Sequence, residues 1–248
     1  MKIVLAHLYP DYLNIYADRG NLAVLSGRAQ RRGIELEVHE VGLRDPLPDR
    51  ADFFYIGGGQ DREQALVAPD LAERGSALSE AIADGAVVLA VCGGYQLLGR
   101  FYRDQSGHEQ PGAAVFPLHT VAGDTRLIGD VLIECELEPG QQQTVVGFEN
   151  HAGRTILDAG ARPLGRVVAG FGNDGHSGLE GCRLDNAIGT YLHGPLLPRN
   201  PRLADWLLAT AVLHATGSFP SLQPLDDGIE RQAHAVSSAR AYARGGRT

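Results

Sequence analysis

Hydrophobic and polar residues repeat with two different periods along the first hundred residues, which indicates strands and helices in alternation. The strand patterns are short apolar runs or strict alternations, and the helix patterns have the longer period. The predicted elements are strands at residues 2–8, 35–41, 52–59 and 86–91, and helices at 20–32 and 71–85. Strands that alternate with helices pair in parallel, so this order predicts an α/β fold with a doubly wound, largely parallel sheet flanked by helices.

The second half of the chain is richer in glycine, and its strand patterns are shorter. Further strands and hairpins are predicted at residues 126–137, 143–151 and 186–194. The glycine-rich segment 165–181 is predicted to be an exposed loop, and an amphipathic pattern predicts a helix at 204–217. Residues 226–248 are predicted to be a helical extension with a frayed end. Because no repeat or linker divides the sequence, residues 1–248 are predicted to form a single domain.

Composition and charge exclude several classes of function. The chain has 248 residues, of which 44% are hydrophobic, as expected of a globular protein with one core. Its formal net charge of -8 argues against a nucleic-acid-binding surface, which needs clustered basic residues. No run of about 18 apolar residues is present, and the first apolar run is too short for a signal peptide. We therefore predict a cytoplasmic protein without a membrane span.

Cysteine and lysine usage narrows the chemistry further. Cys92, Cys135 and Cys182 are an odd number of widely spaced cysteines without a CxxC pair, so neither a disulfide framework nor a metal site is predicted. Lys2 is the only lysine, which excludes a P-loop and an interior Schiff-base lysine. We therefore predict no cofactor in this chain and expect any ATP to bind a partner.

The segment VCGGYQLLG at residues 91–99 carries the strongest chemical signal. A strand ends at Cys92, two glycines follow, and a helical pattern begins, as in the strand–nucleophile–helix turn of hydrolases. Such a turn strains the backbone and leaves no room for neighbouring side chains, which Gly93 and Gly94 satisfy. A helix amino terminus favours the thiolate, and the N–H of Gly93 is placed to bind an oxyanion. An inert buried cysteine is the alternative, but this context favours a nucleophile.

Two other segments supply partners for such a nucleophile. YIGGGQDREQ at 55–64 places three glycines after a strand, so the N–H of Gly58 or Gly59 could be a second oxyanion donor; a ligand-free turn is the alternative. GTYLHGP at 189–195 ends a strand-like run at His193, which could reach the cysteine as a base if both follow strands of one parallel sheet. A lone histidine is more often structural, but beside the nucleophile turn His193 is predicted to be catalytic.

Together these segments resemble the class I glutamine amidotransferases, in particular the branch of the cobyric acid synthases and of the glutaminase subunits of lipid II isoglutaminyl synthases. The resemblance covers nearly the whole chain and implies a flavodoxin-like fold. The segments that carry it are LNIYADRGN (13–21), IGGGQDREQAL (56–66), CGGYQLLG (92–99), RLIGD (126–130), GFENHAGRT (147–155) and GTYLHGPLLPRN (189–200). The first glycine-rich segment, GFENH and YLHGPLLP are the most specific of them.

The resemblance implies catalytic roles for individual residues. Cys92 would be the nucleophile, and His193 would act as the general acid and base. The main chain at Gly58, Gly59 and Gly93 would line the oxyanion hole.

It also implies residues that bind the substrate. Gln96 would contact the bound glutamine, and Arg126 would pair with its α-carboxylate, which a guanidinium matches with two parallel hydrogen bonds. A surface ion pair is the alternative for Arg126. Asn150 and His151 would either line the glutamine pocket or hold the loop that carries Arg126.

A partner is implied as well. The chain would hydrolyse L-glutamine and pass ammonia to a MurT-like synthase subunit of the Mur ligase type, together forming a heterodimer. That partner would bind ATP and Mg²⁺ and amidate the D-glutamate α-carboxyl of lipid II at the inner face of the cell membrane.

One position departs from the commonest class I pattern. Many relatives carry a glutamate two residues after the histidine to orient its ring, and here that position is Pro195. The third role then falls to another residue, to solvent, or to an acid of the partner.

Three other functions stay open at this point. The first is a glutaminase subunit for another amide-forming synthase, such as one of the cobyric acid type. The second is a cysteine hydrolase or peptidase, which would not release ammonia from free glutamine. The third is a non-catalytic binding subunit, whose Cys92 would not react with a glutamine-like electrophile.

Overall fold

Two β-sheets contribute side chains to one hydrophobic core in the computed structural model, which describes residues 1–15 and 19–245. Residues 16–18 of the LNIYADRGN segment and residues 246–248 of the predicted extension lie outside the described residues. The strands are β1 (Lys2–Leu8), β2 (Glu35–Val41), β3 (Phe53–Ile56), β4 (Val87–Val91), β5 (Phe101–Arg103), β6 (Glu109–Pro111), β7 (Leu118–Glu138), β8 (Gln141–Leu157), β9 (Gly165–Ala169), β10 (Leu179–Glu180), β11 (Cys182–Leu184) and β12 (Ala187–Thr190). The helices are α1 (Arg19–Gln30), α2 (Asp61–Glu73), α3 (Gly75–Asp84), α4 (Gly93–Leu97), α5 (Pro201–Thr216) and α6 (Gly228–Gly245), and a 3₁₀ turn occupies Leu197–Arg199.

The first sheet has the strand order β11–β12–β4–β3–β1–β2. All pairs from β12 to β2 are parallel, and only β11 pairs in the antiparallel sense. Every residue of β3 and β4 is buried, which explains why these central strands have continuous apolar sequences. The predicted fold class, a largely parallel sheet flanked by helices, is confirmed.

A second, mostly antiparallel sheet contains the middle of the chain. Its order is β10–β9–β7–β5–β6, with β8 paired to β7 in a long hairpin. The strands predicted at 126–137 and 143–151 fall within this hairpin, but both are longer than predicted and belong to a separate sheet. A bulge between Ala122 and Leu127 breaks the two-residue period, which hides the first half of β7 in the sequence.

The prediction of an exposed loop at 165–181 is wrong at both ends of that segment. β9 pairs with β7, β10 pairs with β9, and Glu180 is fully buried. A Cβ on Gly165 would lie only 2.5 Å from the carbonyl oxygen of Glu134. Glycine at this position therefore permits close strand packing, which its loop-forming tendency conceals in the sequence.

Most helices follow the predictions. The helix predicted at 71–85 corresponds mainly to α3, whereas α2 begins at Asp61, before the predicted start, and ends at Glu73. The two helices are separated at Arg74, beside Gly75, where a Cβ would lie 2.1 Å from the Ala113 carbonyl oxygen. Gly85 ends α3 with φ 109°, as predicted. The helices predicted near both 204–217 and 226–244 are confirmed as α5 and α6, and α6 packs against the second sheet. Within the described ranges, no helix is both long and apolar enough to cross a bilayer.

A buried arginine connects α1 to the segment that precedes α6. Arg28 is 1% exposed, and its guanidinium donates to both carboxylate oxygens of Asp205 at 2.6 and 2.8 Å. It also donates to both oxygens of Asp227 at 2.6 and 3.1 Å. The two acidic residues belong to α5 and to the start of the carboxy-terminal extension, so this ion cluster fixes the extension to the body of the protein.

Candidate active site

Cys92 lies in a strained turn between β4 and α4. Its backbone angles are φ 51° and ψ -107°, a region that residues with a side chain rarely adopt. The N–H of Cys92 donates to the carbonyl of Thr190 at 2.8 Å, which ties the turn to the neighbouring strand β12. The turn predicted from the sequence is therefore present, and it places a buried sulfur at the carboxyl edge of the first sheet.

Both glycines after Cys92 are required by the close approach of the loop that follows β3. A Cβ on Gly93 would lie 2.9 Å from the nitrogen of Gly59, and a Cβ on Gly94 would lie 2.8 Å from the oxygen of Gly57. The N–H of Gly94 donates to that same Gly57 oxygen at 3.1 Å. The turn and the glycine loop are thus held in contact, as an oxyanion hole built from both would require.

Gly58 lies in the middle of the same loop, and its carbonyl accepts a hydrogen bond of 3.1 Å from the N–H of Ile15. The helix after the turn is short, since α4 contains only five residues. Its dipole is correspondingly smaller than that of a full helix. An oxyanion at this place would therefore depend mainly on individual N–H groups, for which Gly59 and Gly93 are the predicted donors.

His193 follows β12, the strand that pairs in parallel with β4. Val91 and Thr190 are partners in that pairing, so Cys92 and His193 follow neighbouring strands at the same edge of the sheet. The backbone of His193 makes two hydrogen bonds of 3.0 Å with Phe148, which hold it against β8. The structure therefore brings the two predicted catalytic residues to one edge.

Burial lowers the pKa of His193 to about 4, and electrostatic interactions with His151 and Arg126 act in the same direction. The imidazole is therefore neutral at pH 7. A neutral imidazole can accept the proton of a thiol, which is the task predicted for this residue.

A cavity of about 600 Å³ opens beside Cys92. All four residues predicted to bind substrate line it, and Gly59 and Cys92 line it as well. The cavity is also lined by residues without a predicted role, which include Ile15, Asp61, Gln64 and Tyr102. Its size is typical of a small-molecule site.

Arg126 reaches this cavity because of the bulge in β7. The paired residues on either side of the bulge are Ala122 with Gly153 and Leu127 with His151, so four residues of β7 face one residue of β8. The guanidinium of Arg126 donates to the Asn150 side-chain oxygen at 2.8 Å and to the Asn150 carbonyl at 2.9 Å. Asn150 therefore orients Arg126 and also lines the cavity, which combines the two predicted alternatives for Asn150.

Arg154 spans the bulge from the neighbouring strand. Its guanidinium donates to the carbonyl of Thr125 at 2.9 Å and to the carbonyl of Ala152 at 2.8 Å. Gly123 makes room for it, since a Cβ there would lie 2.7 Å from the guanidinium carbon. These contacts hold the bulge in the shape that presents Arg126.

Tyr191 supports the floor of the cavity. The ring of His151 stacks on it at a centroid distance of 3.5 Å and an angle of 6°. The Tyr191 hydroxyl accepts a hydrogen bond of 3.0 Å from the side-chain amide of Gln96, and it forms another of 2.6 Å with the hydroxyl of Thr155. Gln96 and His151 are thus fixed through one buried tyrosine.

Sequence reasoning assigned no role to Tyr191, Gln64 or Arg154, although all three lie in the segments that carry the family resemblance. Tyr191 is two residues before His193, and Gln64 is five residues after Gly59. Their place in these segments was the only signal available from the sequence, because each side chain also contacts a residue that is distant in the chain.

Pro195, which stands where many relatives carry an orienting glutamate, is a packing position. The ring of Pro195 lies against Gly20, where a Cβ would be 2.8 Å away. The carboxylates of Glu149 and Glu180 are buried, and that of Glu149 lies 3.5 Å from Nε2 of His151. Glu149 accepts hydrogen bonds from the N–H groups that begin the loop after β9, and Glu180 accepts them from Thr190 and Tyr191.

Comparison with known proteins identifies the family. The model of the CobB/CobQ-like glutamine amidotransferase domain matches residues 4–201. The chain belongs to this family. The resemblance predicted from the sequence segments is thereby confirmed, and Cys92, Arg126 and His193 all lie within the matched part of this amidotransferase.

Curated relatives and solved structures agree with this membership. The lipid II isoglutaminyl synthase (glutamine-hydrolyzing) subunit GatD of Staphylococcus aureus strain N315 is 40% identical over 97% of this amidotransferase and 96% of its own length. The subunit of the same name from Streptococcus pneumoniae strain ATCC BAA-255 / R6 is 38% identical over 93% and 88% of the two chains. A solved glutamine amidotransferase structure superposes with a TM-score of 0.51 and 16% identity, covering 84% of this chain and 98% of that one. The last comparison supports the fold alone.

Proposed function

We propose that this chain is the glutaminase subunit of a lipid II isoglutaminyl synthase. It hydrolyses L-glutamine through a Cys92–His193 mechanism and delivers ammonia to a MurT-like partner in a heterodimer. The observation that carries the proposal is the strained Cys92 turn at the same sheet edge as His193, beside a cavity lined by Arg126. The match to GatD over nearly the full length of both chains supports lipid II as the final acceptor.

The catalytic cycle begins when glutamine enters the cavity with its α-carboxylate on Arg126. His193 takes the proton of the Cys92 thiol, and the sulfur attacks the side-chain amide carbon. The N–H groups of Gly59 and Gly93, with Gly58 in the same loop, stabilise the oxyanion. His193 then protonates the departing nitrogen, ammonia leaves, and a γ-glutamyl thioester remains. Water activated by His193 hydrolyses the thioester and releases glutamate.

The partner completes the reaction in this proposal. ATP and Mg²⁺ bind the MurT-like subunit, which activates the D-glutamate α-carboxyl of lipid II at the inner face of the membrane. Because Pro195 occupies the usual acid position, an acid of the partner is a candidate for orienting His193. In that case the isolated chain hydrolyses glutamine slowly, and adding the partner accelerates it.

One experiment tests the proposed function directly. The chain is purified with a MurT-like protein and supplied with glutamine, ATP, Mg²⁺ and lipid II. We expect ammonia and glutamate to form in equal amounts and lipid II to change in mass from a carboxyl to an amide. Ammonia release without lipid II amidation would instead favour another acceptor, and absence of ammonia release would overturn the proposal.

The pH dependence of hydrolysis gives a first prediction. Because the pKa of His193 is lowered to about 4, the imidazole stays neutral well below the ordinary histidine value of 6.5. We expect kcat/KM for glutamine to be level from neutral pH down to about pH 5 and to fall as His193 becomes protonated below that. Far-UV circular dichroism at each pH controls for unfolding. An acid limb centred near the ordinary histidine value would contradict the assignment.

Replacement of Arg126 gives a second prediction. A guanidinium that binds the α-carboxylate does so in the ground state and in the transition state alike. Arg126→Met is therefore expected to raise KM for glutamine by about tenfold or more while kcat changes little, and Arg126→Lys is expected to restore part of the loss. Arg100→Met, which removes an exposed arginine paired with Asp158, is the matched control. An unchanged KM in Arg126→Met would show that this arginine does not bind substrate.

A further inference from the structure

Gln64 is a buried side chain in the cavity wall. It lies on the first turn of α2, is 3% exposed, and lines the same cavity as Cys92. A polar side chain that is buried this deeply normally has all of its polar atoms hydrogen-bonded. The carboxamide of Gln64 is only half satisfied, and this sets it apart from the other residues that line the cavity without a predicted role.

The nitrogen of this carboxamide has a defined position. Nε2 donates to the carbonyl of Gly59 at 3.1 Å, and it lies 2.7 Å from the point where a Cβ on Gly93 would stand. The carboxamide is thus placed between the two glycines expected to stabilise the oxyanion. Because a carbonyl can only accept a hydrogen bond, the contact with Gly59 also decides which end of the amide is nitrogen.

The oxygen of the same carboxamide is buried and has no hydrogen-bond partner in the part of the chain that the structure describes. A buried acceptor without a donor is unfavourable unless a ligand supplies one. When glutamine is attacked at its side-chain carbon, its oxygen turns toward main-chain N–H donors. Before the attack, the planar NH₂ group of glutamine can only donate hydrogen bonds, and it requires an acceptor in the cavity wall.

We propose that Gln64 contacts the reacting group of the substrate, with Oε1 accepting a hydrogen bond from the carboxamide nitrogen of glutamine while Nε2 holds Gly59. This inference rests on the proposed function. Gln64 then sets the orientation of the amide over Cys92 and makes the site selective for a leaving group that bears N–H. An ester, whose leaving oxygen has no hydrogen to donate, gains nothing from Oε1.

The test compares two substrates of the full-length protein, measured alone and with its synthase partner. L-Glutamine offers an N–H donor at the leaving group, and L-glutamate γ-methyl ester does not. Gln64→Met is expected to lower the ratio of kcat/KM for the amide to kcat/KM for the ester by about tenfold or more, because only the amide loses a hydrogen bond. If Gln64 merely supports Gly59, both substrates lose equally and the ratio stays constant.

Two further variants keep the result interpretable. Gln64→Glu retains an acceptor but loses the donor to Gly59, so both rates fall and the ratio stays near that of the wild type. Gln110→Met removes another buried glutamine that also has an orphan oxygen, on β6 and outside the cavity lining, so it leaves the ratio unchanged. Alkylation of Cys92 by iodoacetamide and thermal unfolding show whether each variant is folded.

The outcomes separate this inference from the function on which it rests. A wild-type protein that hydrolyses neither compound overturns both. A wild-type protein that hydrolyses glutamine, together with a Gln64→Met variant whose amide-to-ester ratio is unchanged, overturns only the role of Gln64. A Gln64→Glu variant whose ratio falls as far as that of Gln64→Met also counts against Oε1 as the acceptor.

Discussion

Replacing Cys92 with serine is expected to lower the rate of glutamine hydrolysis by about ten-thousandfold or more. The strained turn places one sulfur beside the glycine loop, and an alcohol is a much weaker nucleophile than a thiol in the same place. The backbone at position 92 is set by the neighbouring glycines, so the serine variant keeps the fold. Ammonia release from glutamine, measured with and without the synthase partner, gives the rate. A Cys92→Ser variant that releases ammonia within tenfold of the wild-type rate would overturn the proposed mechanism.

The other two cysteines provide matched controls. Burial raises the pKa of Cys135 to about 11 and that of Cys182 to about 12, so both thiols stay protonated and unreactive at pH 7. Cys135→Ala and Cys182→Ala are expected to change the rate by only a fewfold. A diazoketone analogue of glutamine is expected to modify Cys92 alone, which mass spectrometry of the peptides would show. Modification at Cys135 or Cys182 at a similar rate would mean that the analogue reacts without being bound.

Replacing Arg28 with methionine is expected to lower the free energy of unfolding by about 2–3 kcal/mol at pH 7. Removal of one partner from a buried ion pair costs roughly 3–5 kcal/mol, because the remaining charges lose their compensation. The estimate for this protein is lower, since the side chain of Asp205 is 29% exposed and that of Asp227 is 14% exposed. Urea denaturation of the two proteins measures the difference.

The effect of Arg28 also depends on pH. Hydrogen bonds from Arg28 are the largest cause that lowers the pKa of Asp227 below its ordinary value of 3.8. A carboxylate with a lowered folded pKa stabilises the protein above the ordinary value, and that contribution is lost as the pH falls through the lowered one. The difference between wild type and Arg28→Met is therefore expected to narrow below about pH 4.

Arg31 is the matched control for Arg28. It lies just beyond the same helix, is exposed, and donates one hydrogen bond of 3.3 Å to the carbonyl of Gly27. Arg31→Met is expected to change the free energy of unfolding by less than about 0.5 kcal/mol. Equal stabilities of the two variants would show that the ion cluster around Arg28 does not stabilise the fold.

The first sheet could be predicted closely because its signals are local. β1 and β2 have the predicted bounds, and β4 begins one residue later than predicted. β3 and β12 end earlier than predicted, at Ile56 and Thr190, because the chain turns into the loops of the site there. Central parallel strands are covered on both faces, so their apolar runs are visible without knowledge of their partners. The end of α3 could be predicted from an equally local signal, since Gly85 can adopt the left-handed conformation that ends a helix.

The second sheet could not be predicted in the same way. Its long hairpin contains a four-residue bulge, and such an interruption shifts the alternation of buried and exposed residues partway along the strand. Glycines of the segment 165–181 resemble a loop in sequence, but they permit strands to approach each other. The role of Gly165, for example, depends on its close approach to Glu134, which lies far away in the chain.

The sequence by itself determined that Cys92 would stand in a tight turn after a buried strand, because a run of apolar residues and two adjacent glycines restrict the backbone wherever they occur. It also indicated a strand shortly before His193, but only the fold pairs that strand in parallel with β4. Only the tertiary structure decided that Tyr191 supports Gln96 and His151, that a bulge carries Arg126 to the cavity, and that Gln64 lies between Gly59 and Gly93. Those arrangements follow from the packing and register of segments distant in sequence, whereas periodicity and steric limits act between neighbouring residues.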